Sequence, residues 1–276
     1  MSQGAGFGGP EVAAAWEQHR ARLFEGQRTL SEWIVDQVDP RPGQTILELT
    51  AGPGETGFLA AERVAPGGHL ISSDLNEAMV AAARRGAEAR GLGNVEFRVI
   101  DAQQIDLPDA GVDGVLSRFG LMLVPDPGRA FAEIRRVLRP GGRLAYGVWG
   151  PMDRNPWLAH LVGAVRQTGH APPGDPTGPG GPFSLPTAEV NRRLLDHAGF
   201  TDVEVEEIPG VQQYDSMNDY WDFQTAIAGP VSGIVRSLSD DQRATIRATL
   251  EPMLEPFRDD DGSLALPSLA VGVSSR

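Results

Sequence analysis

Apolar positions change their period along this chain, and the changes mark its elements. Between residues 11 and 38, Trp16, Leu23, Leu30, Ile34 and Val38 recur at mostly helical spacing with polar residues between them, which predicts an N-terminal helix. Asp39-Pro40-Arg41-Pro42-Gly43 is a stop-and-turn signal. Short apolar runs then alternate with helix-period segments. Strands are predicted at 45–50, 69–74, 95–100, 112–117 and 143–149, and helices at 55–64, 76–90 and 128–138. Asn76 suits an N-cap and Gly91 a C-terminal stop. Strand–helix alternation of this kind means βαβ units and a parallel sheet. Right-handed crossovers align the strand carboxyl ends along one edge, where ligands of open α/β sheets bind.

Beyond Trp149 the pattern changes. Residues 171–182 hold five prolines and four glycines in twelve positions. That composition suits a loop with no packed core of its own, read either as a surface linker or as a lid. Helices are predicted at 187–198, 217–227 and 240–254, the last as part of a cap. Strands are predicted at 202–207 and 264–273. The chain divides into an N-terminal helical segment (1–38), an α/β core (39–150), a Pro/Gly-rich insertion (151–186) and remaining strands with a helical cap (187–276), all within one domain.

Composition prunes the chemistry. The 276 residues carry a net charge of −13, and an acidic surface repels a phosphate backbone, so a nucleic-acid partner is not expected. No window approaches the apolar run of a membrane span. Residues 1–10 lack the basic and apolar regions of a secretory leader, so a cytoplasmic protein is the default expectation. There is no cysteine, and all 24 basic residues are arginine. The first absence excludes disulfides, cysteine nucleophiles and thiolate-held metals. The second excludes Schiff-base lysines and the P-loop lysine. No His/Asp/Glu spacing suggests a metal site.

The most informative segment is Ile46 to Gly57, a buried strand, a glycine-rich turn and a helix start. Gly52-Pro53-Gly54-Glu55-Thr56-Gly57 fits G-x-G-x-x-G, which alone is a weak signal for a dinucleotide. Glu48 precedes Gly52 by four residues, and Asp74 and Asp101 stand where the next two strands end. Three strand-end acids can serve one nucleotide-like ligand. No second glycine motif supplies a pyrophosphate site. Asp74 can equally cap the next helix, Asp101 can be a loop acid, Leu75 and Met79 can be core, and Ser117 can satisfy backbone.

On these residues the chain resembles the class I S-adenosylmethionine-dependent methyltransferases. It stands nearest the ubiquinone/menaquinone-biosynthesis and small-molecule group. The matching stretches are Leu47 to Gly54, Ser73 to Met79, Asp101-Ala102-Gln103, and Phe131 to Leu144 with its Arg139-Pro140-Gly141-Gly142 turn. Alanine at 51 and proline at 53 depart from the family's frequent cysteine and threonine. The resemblance covers residues 40–148 well. It implies a Rossmann-like, seven-stranded, mostly parallel sheet with helices on both faces, an N-terminal helix and a C-terminal helical cap. It also implies S-adenosylmethionine as cofactor. Gly52 and Gly54 would lie along its methionine part, and Asp74 would accept from the ribose hydroxyls. Leu75 and Met79 would flank the adenine, with Asp101 and Ala102 at the adenine edge. Ser117, followed by Arg118 and Phe119, would face the sulfonium, and Glu48 would favour a cationic ligand.

The implied reaction is in-line transfer of a methyl group to oxygen or carbon of a small, partly hydrophobic organic acceptor, in quinone-like or specialised metabolism. The histidines His19, His69, His160, His170 and His197 give no identifiable general base, so the catalytic residue is unassigned. Reuse of the fold for a non-methylating step, a nicotinamide dehydrogenase and a non-catalytic subunit remain open, as does a homodimer.

Overall fold

The computed structural model describes residues 10–170, 174–227 and 229–276. Seven strands form one sheet: β1 (Thr45–Glu48), β2 (His69–Asp74), β3 (Val95–Val99), β4 (Val112–Arg118), β5 (Leu138–Trp149), β6 (Glu204–Tyr214) and β7 (Leu264–Ser275). Their order is β3-β2-β1-β4-β5-β7-β6. The first five pair in parallel, while β7 runs antiparallel between β5 and β6. This is the Rossmann-like, mostly parallel sheet expected.

Alternation along the central strands builds two cores. Leu47, Ile71, Val115, Leu144 and Tyr146 face one side, with Phe131 and Ile134 of α6 (Pro127–Val137). Ile46, Leu70, Leu116 and Ala145 face the other, with Leu30, Ile34, Val35 and Val38 of α3 (Arg28–Val38) and Phe58 of α4 (Glu55–Val64). Both sheet faces are covered, so these strands read as unbroken apolar runs rather than as alternations. The strand order reverses between β1 and β4, which opens a crevice at their carboxyl ends.

The N-terminal helix is three helices, not one. α1 (Pro10–Gln18) and α2 (Arg20–Glu25) precede α3, with breaks at His19 and Gln27 where neither flanking side chain caps the next helix. Tertiary contacts set those breaks, because α1 packs on α5 (Glu77–Ala89) while α3 packs on the sheet. Composition also hides a helix inside 151–186. There α7 (Pro156–Gln167) buries Trp157, Leu158, Leu161, Val162 and Val165. Proline at its first turn suits that end of a helix. The described part of the Pro/Gly-rich stretch folds as turns, with Gly178 donating to Asp175 and Phe183 to Pro176; residues 171–173 lie outside the described residues. After α8 (Ala188–His197), β6 runs to Tyr214, beyond the expected end at 207, because β7 pairs along all eleven of its residues. The cap comprises α9 (Met217–Ile227), α10 (Pro230–Ser237) and α11 (Asp240–Leu254), and α11 packs on α7. No helix among the described residues is long and apolar enough to cross a membrane.

Candidate functional site

The turn after β1 is fixed by its own close contacts. Gly52 and Gly54 have φ of +53° and +88°, which L side chains rarely adopt. A Cβ at Gly54 would also stand 2.7 Å from Cζ of Phe58. The Gly57 N–H donates to Glu48 Oε1 at 2.8 Å, and Ser72 Oγ donates to Glu48 Oε2 at 3.1 Å. A Cβ at Gly57 would fall 2.1 Å from Glu48 Oε2, so glycine there admits the carboxyl. Glu48, expected at the ligand, instead lies buried behind the turn and pins α4 to β1 and β2. Burial raises its pKa to about 8 against the pull of those two donors.

Asp74 closes β2 on the open side of the turn. Its Oδ2 accepts from Gly52 N–H and its Oδ1 from Asn76 N–H, each at 2.9 Å. Burial raises its pKa, opposed by those backbone donors. The helix cap belongs to Asn76, whose side chain accepts from Ala78 N–H at 2.9 Å. Asp74, Gly52, Leu75, Met79, Asp101 and Ala102 all line one cleft of about 1330 Å³. Asp101 is held by Gln103, whose N–H donates to it at 2.8 Å. The three large apolar side chains most exposed among the described residues are Leu75, Val99 and Val211, each about half exposed. All three line this cleft, so their exposure has a local reason.

The other half of the cleft is aromatic. Phe119 follows β4 with φ of +56°, a strained value for an aromatic residue. Its ring stacks on Trp149 at 3.8 Å, and Trp149 meets Trp157 at 4.8 Å. Ser117 is not exposed to the cleft. It is fully buried, with Oγ 2.7 Å from Thr50 Oγ1, so it joins the β1 and β4 loops rather than facing a ligand. Gly54 likewise supports the turn from behind, while Gly52 and Thr50 line the cleft.

The helical segments roof the site. Trp16 Nε1 donates to the Ile227 carbonyl at 3.2 Å, joining α1 to α9. Arg22 forks onto both oxygens of Asp219 at 2.7 Å and lies 4.2 Å from the Phe223 ring centroid. Nothing in the local sequence marks Arg22 and Asp219, 197 residues apart, as partners. The Pro/Gly-rich turns at 174–182 add wall to the same cleft.

Comparison with known proteins agrees with this geometry. A methyltransferase-domain family matches residues 40–164. Nocamycin O-methyltransferase of Saccharothrix syringae is 39% identical over 139 residues, covering 50% of this chain and 49% of that one. The ubiquinone/menaquinone biosynthesis C-methyltransferase of Acidiphilium cryptum is 42% identical over 113 residues, covering 40% and 44%. The chain thus spans about half the length of these relatives. The crystal structure of YcgJ from Bacillus subtilis superimposes with a TM-score of 0.57 at 20% identity, over 88% of this chain and 97% of that one. Sheet order, glycine turn and strand-end acids thus converge with the sequence match, in which residues 40–164 of this chain match a methyltransferase domain.

Proposed function

We propose that the chain transfers a methyl group from S-adenosylmethionine to the oxygen or carbon of a small, partly hydrophobic organic acceptor, acting in the cytoplasm. The observation that carries this reading is the shared cleft of Gly52, Asp74 and Asp101 with the half-exposed Leu75 and Val99. Those residues fit an adenosyl group. The Asp74 carboxylate retains acceptor capacity for two ribose hydroxyls, Leu75, Val99 and Met79 suit the faces of a purine, and Asp101 and Ala102 suit its edge. The cleft volume exceeds that of ordinary single-ligand pockets, leaving the aromatic half for an acceptor.

When bound, the cofactor supplies an activated methyl group on a cationic sulfur. The protein's own work is alignment and exclusion of water. The Asp74 carboxylate holds the Gly52 turn in place. Glu48 and Ser117 hold that turn from behind, as positioning residues. Phe119, Trp149 and Trp157 offer flat apolar surface to the acceptor, and the α1–α9 contact shuts the roof. No histidine lines the cleft among the described residues.

Calorimetric titration with S-adenosylhomocysteine tests the cofactor half of the proposal. The wild type binds, and Asp74→Ala weakens binding by roughly 100-fold through loss of two charge-assisted hydrogen bonds. Equal affinities, or no binding by the wild type, would refute it. An acceptor screen read by product mass tests the chemistry, since methyl transfer adds one methyl and a rearrangement adds none.

A further inference from the structure

Arg118 is the cleft's one guanidinium without a carboxylate partner among the described residues. It closes β4 between the glycine turn and the aromatic wall, and it lines the cleft. The other arginine there, Arg22, is satisfied by Asp219. Among the described residues Arg118 makes a 3.4 Å hydrogen bond to the Leu23 carbonyl and neighbours the Phe119 ring, 5.9 Å from its Cζ, while Glu48 and Glu55 act on it through space without an ion-pair contact. The nearby acids are already engaged. Glu55 pairs with Arg20 and Arg90, and Glu48 accepts from Gly57 and Ser72. The Glu25 carboxylate on the rim pairs with Arg28. Burial lowers the Arg118 pKa to about 10, which still leaves the group charged at neutral pH. A half-buried guanidinium that makes no carboxylate contact among the described residues keeps N–H donors for an incoming anion. The planar fork of arginine matches a carboxylate in two-pronged fashion.

We propose that Arg118 is the anion receptor of this cleft, pairing with a carboxylate carried by a bound small molecule. The reading of the cleft as a methyl-transfer site bears only on which molecule carries that carboxylate. It is either the amino-acid end of the cofactor or an acid group on the acceptor. The stacked Phe119 and Trp149 beside the guanidinium suit a flat, conjugated acid in the second case. A cationic spot inside a chain of net charge −13 would select such an acid locally against the repulsion of the surface.

Calorimetry on the wild type and Arg118→Gln separates the sources. One arm compares S-adenosylhomocysteine with 5′-methylthioadenosine, which lacks the carboxylate. The other compares benzoate with the neutral benzamide, with and without S-adenosylhomocysteine. The wild type prefers the acid in at least one pair by roughly tenfold or more, and Arg118→Gln abolishes that preference while leaving the neutral ligand's affinity unchanged. A change confined to the first pair assigns the cofactor, and one confined to the second assigns the acceptor. Equal wild-type affinities within both pairs, or a preference that survives in Arg118→Gln, overturn the proposal. The wild-type comparison decides it even if the variant does not fold. Absence of adenosyl binding by the wild type would overturn the cofactor reading instead, with the benzoate pair still testing Arg118.

Discussion

The buried Glu48 makes a sharp prediction about pH. Its carboxyl is held by Gly57 N–H and Ser72 Oγ, and burial lifts its pKa from 4.5 to about 8. The folded protein therefore binds a proton there more tightly than the unfolded chain. That contribution to stability is fully present below the unfolded pKa, near 4.5, and is lost as pH rises toward about 8. Glu48→Gln mimics the protonated form. Its amide oxygen accepts from Gly57 N–H, its NH₂ donates to Ser72 Oγ, and it does not titrate. The difference in unfolding free energy between wild type and Glu48→Gln isolates this group. Relative to the variant, the wild type should lose up to about 1.4 kcal/mol per pH unit, or about 2.5 kcal/mol between pH 5 and pH 7. The window lies below the folded pKa, so the slope stays near its full value. Urea unfolding at pH 5, 6 and 7, with m-values checked for constancy, measures it. Parallel curves for the two proteins would refute the reasoning, as would a gap that widens toward acid.

Three further outcomes follow from the same geometry. Gly54→Ala should cost about 1–3 kcal/mol of stability, because alanine must adopt φ of +88° and meet Phe58 at 2.7 Å; thermal or urea unfolding reads it. Leu75→Ser should leave stability within about 0.5 kcal/mol, since the side chain is half exposed, yet weaken S-adenosylhomocysteine several-fold in titration. A double-mutant cycle on Arg22 and Asp219, side chains 34% and 28% exposed, should return a coupling of roughly 1 kcal/mol. Loss of either partner should raise hydrogen exchange in α2 and α9.

Much of the molecule was legible in the chain alone, and the reason is local. The five parallel strands and their helices announce themselves through period and caps, because each is specified by neighbours in sequence. Asn76 and the Gly52–Gly54 turn belong to the same class. The strand-end acids were legible as candidates, since a parallel sheet aligns its carboxyl ends whatever the side chains are. Which of these acids meets the cleft was not legible. Glu48 and Asp74 occupy equivalent strand ends, yet one lies behind the turn on Gly57 and Ser72 while the other faces the cleft. Side-chain direction depends on register and on the path of the following loop. The helix at 156–167 and the full length of β6 were hidden for a related reason, since burial against β7 and α11 stabilises segments whose own composition is unremarkable in period. The parallel strands, the glycine turn and the methyltransferase-domain match of residues 40–164 are all encoded over short stretches. That Arg22 meets Asp219, that Ser117 is buried and that Arg118 makes no carboxylate contact among the described residues could not be read locally, because those facts rest on residues distant in the chain brought together by packing.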